Sequence, residues 1–245
     1  MTENKNSQII DPEEILDAEK NQKDNDLEEM KKAGLHYGHK RTYNHPRAGY
    51  FTLKSSAEIA LIDLNETKKG LQAAIDFIKE IIKKKGMILF VGTTGGAQKA
   101  VEELSKKHDF PYVINRWLGG TLTNFQTLSD RIKHLQELEE KQKSGEWSNY
   151  TKQEKKKLEE EIYDLEQKFI GLKKMSQLPD ALFIVDPKIH KTAIREAQKK
   201  EIPIISILDT DDDPTLVDYP IPANDSARSS IKYILSKIDA IIEKP

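Results

Sequence analysis

Residues 87–104 read MILFVGTTGGAQKAVEEL: an unbroken apolar run, a glycine-rich turn, then a stretch whose apolar residues fall three or four positions apart. A strand that is apolar at every position has no face to show to water, so it must be covered on both sides, as strands of parallel sheets are. The stretch after the turn has the period of a helix with one buried side. Strand, tight turn and helix in that order form the repeating unit of an α/β fold.

The alternation continues in both directions. Strands are expected at 59–62, 87–91, 112–114, 182–185 and 204–208 in a parallel sheet, with helices at about 66–84, 96–107, 189–200 and 225–242. Leu71, Ile75, Ile78 and Ile82 show the helical spacing in the first of these. A shorter helix over 27–33 should stop at Gly34, because glycine tolerates the positive φ favoured just past a helix end.

Residues 124–172 interrupt this rhythm with two charged helical patterns and no strand between them. Leu158, Ile162, Leu165, Phe169 and Leu172 follow one another at spacings of 4, 3, 4 and 3, the seam of a coiled coil. Leu128, Ile132, Leu135 and Leu138 on the first arm are available to meet it. The segment SGEWSNY supplies turn residues between the arms, and Thr151 with Glu154 makes a capping box for the second. The expected organisation is an α/β domain of residues 27–123 and 173–245 carrying a helical, coiled-coil hairpin at 124–172. Residues 1–26 are acidic and poor in large apolar groups, the composition of a disordered tail. Within that tail Asp11, Pro12 and Glu14 precede Ile15 and Leu16 in the order of a helix start.

Composition narrows the function. The chain of 245 residues is 33% charged and 37% hydrophobic, with no apolar run approaching the roughly 18 residues that span a bilayer. No contact with membrane is expected, and the polar start MTENKNSQ lacks the features of a signal peptide, so the cytoplasm is the expected compartment. Without cysteine, thiol redox chemistry and thiolate metal sites are excluded. The formal net charge of −2 conceals an asymmetry: residues 1–29 carry −7 and the remainder +5. Between Met30 and Ala57 stand six bases, Lys31, Lys32, Lys40, Arg41, Arg47 and Lys54, with no acid, and His36, His39 and His45 lie among them. Such a stretch suits phosphate recognition; the histidines read as RNA-facing or turn residues rather than metal ligands.

Three other segments invite chemistry. Gly92 to Gly96 sits where a helix N-terminus could hold a phosphate, yet matches no nucleotide-binding fingerprint, so it reads as turn chemistry or an RNA phosphate contact. Asp209, Asp211, Asp212 and Asp213 follow the last strand, where carboxylates could hold magnesium or simply serve turns and caps. A magnesium-dependent nucleotide-binding enzyme is the competing function built from these two segments. The third is NRWLGGTLTNF, residues 115–125: its glycines turn the chain, Trp117 and Phe125 should anchor the helical arm, and Thr123 or Asn124 should cap it. Arg116 is left as the residue of this loop suited to touching RNA. No G-x-S-x-G or H-E-x-x-H pattern supports hydrolysis. The hairpin could also act as a protein-docking module independent of RNA.

With these residues assembled, the chain resembles the bacterial ribosomal protein S2 family over about residues 27–240. The resemblance rests on AGLHYGHKR, IALIDLNET, ILFVGT, PYVINRWLGGTLTNF, LPDALFIVDP, IPIISILDT and VDYPIPANDSA, in the family's order and spacing. It implies a flavodoxin-like α/β domain with an inserted helical hairpin and no catalytic activity or cofactor. The implied role is a structural constituent of the small ribosomal subunit in translation. Its implied partners are ribosomal RNA and neighbouring ribosomal proteins, including the large multi-domain messenger-binding protein. Lys40, Arg41 and Arg47 match the family's RNA-contacting stretch, and His39, Lys54 and Arg116 complete the expected RNA-binding set. The sequence departs from the family at Thr94, Gly95 and Gly96, where two lysines and a glutamine are usual, and at Asp211 and Asp212, where an asparagine and a small residue are usual.

Overall fold

The computed structural model describes residues 25–54 and 58–243. The acidic segment expected as a tail, with its helix signal at Asp11 to Leu16, lies outside them apart from residues 25 and 26. Those two are already helical: a first helix, α1, covers 25–32 and ends ahead of Gly34 at φ 79°.

Next come three short strands, β1 (Tyr37–Lys40), β2 (Thr52–Leu53) and β3 (Ile59–Ile62). They form a separate antiparallel sheet in the order β1-β3-β2. This corrects the expectation that 59–62 belongs to the parallel sheet. The physical reason lies in its burial pattern: Ala60 and Ile62 are buried while Ile59 is exposed, the alternation of a strand covered on one face only.

The main body alternates strand and helix: α2 (Leu64–Lys83), β4 (Ile88–Val91), α3 (Gln98–Lys107), β5 (Tyr112–Val113), α4 (Phe125–Lys143), α5 (Lys152–Phe169), β6 (Ala181–Val185), α6 (Lys191–Lys199), β7 (Ile204–Leu208), β8 (Tyr219–Pro222) and α7 (Arg228–Ile242). All neighbouring strands pair in parallel, in the order β5-β4-β6-β7-β8. Counted from β4, that is the 2-1-3-4-5 order of flavodoxin-like sheets.

Strand β8 was not expected from the sequence, because YPIP carries two residues without an amide hydrogen. It is tolerated as an edge strand, which needs to donate on one side only. Every residue of β4, β6 and β7 is buried. Successive side chains go to opposite faces: Ile88, Phe90, Phe183 and Ile207 pack with α2, α3 and α7, while Leu89, Val91, Leu182 and Ile184 pack with α6 and with residues of α4 and α5.

Leu128, Ile132, Leu135 and Leu138 on α4 are buried together with Ile162 and Phe169 on α5, and Leu158 and Leu165 pack against the same cluster. Thr151 and Glu154 form the capping box at the start of α5. The cap expected at the start of α4 differs. Asn124 holds the cap position without a side-chain bond to the helix amides, and its Oδ1 instead accepts from Thr127 Oγ1 at 2.9 Å. Lys173 bridges the two helices through Glu139 and Glu166.

Candidate nucleic-acid interface

In an open parallel α/β sheet the loops that follow the strands share one rim, and that rim is where such folds carry their ligands. Here the loop after β7 receives the segment 38–47 from the small sheet. Gly38 makes this docking possible: a Cβ at that position would stand 2.6 Å from Thr210 Cγ2 and 3.1 Å from the Ala60 carbonyl oxygen. Only a residue without a side chain lets the backbone approach so closely. The amide of His39 donates to Thr210 Oγ1 at 3.1 Å, and that of His45 donates to the Thr210 carbonyl at 2.8 Å.

Once docked, the basic segment meets the chain's own acids. His39 Nδ1 stands 3.0 Å from Asp209 Oδ2 and 3.3 Å from Asp211 Oδ1. Arg47 donates from one guanidinium nitrogen to Asp213 Oδ2 at 3.1 Å and to Thr215 Oγ1 at 2.6 Å. Lys40 pairs with Glu58 at 3.2 Å, both side chains largely exposed. Arg41 and Lys54 are exposed, at the end of β1 and of β2. His45 serves the turn: its Nδ1 accepts from the Arg47 amide at 3.3 Å. The exposed pair of Lys40 with Glu58 is worth at most about 1 kcal/mol, so breaking it costs little.

Arg116 is exposed but stands elsewhere. It follows β5, three strand positions from β7 in the sheet. At about 4.8 Å per strand that is roughly 15 Å away, so Arg116 does not belong to the docked cluster.

The acids below the segment are the residues the sequence reading underrated. Asp186, Asp212 and Asp225, from the loops after β6, β7 and β8, bring carboxylate oxygens within 4.8 Å of one another; a ring nitrogen of His39 and carboxylate oxygens of Asp209 and Asp211 form a second group within the same distance. Burial pushes Asp212 up to about 7 and Asp225 up to about 9, and the neighbouring carboxylates add to the effect. Burial also raises Asp186 and Asp209. Oxygen ligands in such groups could hold a hard cation. The turn chemistry expected of Asp209 to Asp213 is also present: Asp212 Oδ2 accepts from the Asp209 amide at 2.9 Å, and Asp213 Oδ1 from the Thr215 amide at 3.0 Å. Asp186 and Asp225 lie 23 and 12 residues outside the run Asp209 to Asp213, so only the fold brings them together with it.

The turn Gly92 to Gly96 is packed by the chain itself. Thr93 Oγ1 lies 3.1 Å from His190 Nε2, and a Cβ on Gly96 would come within 2.6 Å of the Ser226 carbonyl oxygen. The loop NRWLGGTLTNF is likewise held internally, by Glu196 of α6. One carboxylate oxygen accepts from Trp117 Nε1 at 3.1 Å and the Gly120 amide at 2.8 Å. The other accepts from the amides of Leu122 and Thr123 and from Thr123 Oγ1 at 3.0 to 3.1 Å. Burial alone would raise this carboxyl, but the five donors hold it below the usual range.

Comparison with known proteins joins these observations. The small ribosomal subunit protein uS2 of Chloroflexus aggregans is 44% identical over 218 residues, which cover 89% of this chain and 92% of that protein. The protein of the same name from Coprothermobacter proteolyticus is 42% identical over 218 residues, 89% of this chain and 81% of the relative. A family profile described as ribosomal protein S2 matches residues 30–244, the span that holds the docked basic segment, both sheets and the Glu196-held loop. The chain therefore belongs to the ribosomal protein S2 family.

Proposed function

We propose that this chain holds ribosomal RNA with the basic segment from His39 to Lys54, displayed by the small sheet and braced against the loop after β7. The protein is a structural constituent of the small ribosomal subunit and not an enzyme, as its family is. The observation that carries the RNA reading is the run of six bases without an acid from Met30 to Ala57, joined to the exposure of Lys40, Arg41, Arg47 and Lys54. Lys40 and Arg47 act by exchanging a carboxylate partner for phosphate, releasing counterions from the RNA. His39, whose side chain is 39% exposed, both braces the segment against Asp209 and offers its ring edge to RNA, and Arg116 makes a separate contact at the other end of the rim.

In this reading residues 124–172 act as a helical, coiled-coil insertion in an α/β domain of 27–123 and 173–245. Its exposed outer surface receives neighbouring small-subunit proteins, the large multi-domain messenger-binding protein among them. The compartment is the cytoplasm, on the ribosome; among the described residues no helix is long and apolar enough to cross a membrane. The test is sedimentation. Tagged protein should co-migrate with small subunits in a sucrose gradient, and replacing Lys40, Arg41 and Arg47 together by alanine should shift it to the free fraction. Undiminished co-migration of the triple variant would remove those residues from the interface.

A further inference from the structure

The small antiparallel sheet presents an apolar row on the side that faces away from the body. Tyr37 of β1 and Leu53 of β2 both pair with Leu61 of the central strand, and directly opposed residues project to the same face. Tyr37 is 51% exposed and Leu53 46%. In the neighbouring row Ile59, 45% exposed, lies opposite Lys40. An antiparallel sheet covered on one side is commonly polar on the other; here Lys40 shares that face with Tyr37, Leu53, Ile59 and Leu61. Among the described residues, five of the ten exposed large hydrophobic side chains fall between Tyr37 and Ile59, Tyr43 and Tyr50 being the other two. Lys40, Arg41 and Lys54 rim that surface.

We infer that this outward face, with Tyr37, Leu53, Ile59 and Leu61, is a platform on which unpaired RNA bases lie, while the cations around it take the phosphates of the same strand. The inference rests on the RNA reading above and specifies which form of RNA the site takes. Duplex RNA offers phosphates and 2′-hydroxyls but keeps its base faces stacked inside, so it would leave the apolar row unmatched. Single strands offer both an aromatic face and a negative backbone, the pair that sheet-borne aromatics and basic rims recognise. A protein partner is less suited: three strands of at most four residues, at about 4.8 Å apart and about 3.3 Å per residue, make a face of only ~130 Å², against about 800 Å² per side for a stable protein interface.

The experiment uses the full chain and three probes. These are a 12-nucleotide single-stranded oligoribonucleotide carrying 2-aminopurine, the blunt duplex of the same sequence, and polyglutamate. The single strand should bind with quenching of the 2-aminopurine. Tyr37→Ala should weaken its binding about fivefold or more, the loss of one base stack, with duplex binding unchanged; Tyr37→Phe should keep both affinity and quenching. Leu53→Ser, on the opposite strand of the row, should also reduce quenching, with an unchanged melting temperature for both variants. If Tyr37→Ala and Leu53→Ser fold normally and keep single-strand affinity and quenching, the platform is wrong. It is also wrong if they lose polyglutamate binding and nothing else. The double variant Lys40→Ala/Arg41→Ala separates the two claims. It should weaken single strand and duplex alike, and if it weakens neither, the RNA reading itself fails.

Discussion

The indole nitrogen of Trp117 donates to Glu196 Oε1 at 3.1 Å, joining a loop after β5 to a helix 79 residues later. Glu196 is 7% exposed, and its five donors all come from residues 117–123. The most distinctive sequence in the chain, NRWLGGTLTN, is therefore largely the wrapping of one buried carboxylate.

That arrangement predicts a large cost for a small change. Glu196→Gln keeps the shape but turns an amide donor toward backbone amides, leaving at least two donors unmatched at roughly 1–3 kcal/mol each. Chemical denaturation should show a loss of about 2–4 kcal/mol. The sign with pH follows from the depressed carboxyl of Glu196. Its contribution is present above the unfolded-state value and is lost as pH falls through the lower folded value, so the difference between wild type and variant should shrink in acid.

Gly38 supplies a second prediction. Its missing Cβ leaves the 2.6 Å clearance to Thr210 Cγ2 on which the docking of the basic segment depends. Gly38→Ala should cost about 1–3 kcal/mol, as overpacking does, and weaken RNA binding by displacing Lys40 and Arg41. Thr210→Ser removes the clashing methyl and keeps the hydroxyl that accepts from His39, so the double variant should recover part of both losses.

Asp213 restrains Arg47 at 3.1 Å. Asp213→Asn keeps an acceptor for Thr215 but removes the charge competing with phosphate. RNA affinity should rise a few-fold, and its salt dependence should steepen as Arg47 is released.

The buried acids predict how stability varies with pH. Asp212 and Asp225, raised to about 7 and about 9, keep protons in the folded state that the unfolded chain releases near its ordinary carboxylate value. The folded state binds more protons across that window, so stability should fall as pH rises from about 4 toward 9. In chelator-containing buffer, Asp212→Asn should flatten this decline and be more stable than wild type at pH 8. A steeper decline in the variant would contradict the placement of these carboxyls.

What the sequence made legible follows from where its physics is local. The strands at 88–91, 181–185 and 204–208 declare themselves because they are apolar at every position, and α2 does so by its spacing. YPIP at 219–222 does not, since its prolines argue against a strand until its edge position is known. YGHK at 37–40 is too polar and too short to show itself. The basic segment was legible as charge, but its partners were not: Arg47 and Asp213 are 166 residues apart. Glu196 left a faint signal, a charge beside Ala193 and Ala197 on the buried stripe of α6.

The most direct test of the central claim is the salt dependence of affinity for ribosomal RNA, comparing wild type with the variant in which Lys40, Arg41 and Arg47 are all alanine. Each lost phosphate contact should reduce the slope of log affinity against log salt by roughly 0.7–0.9, so a reduction of about 2–3 is predicted. An unchanged slope, with the variant folded, would show that RNA is held elsewhere.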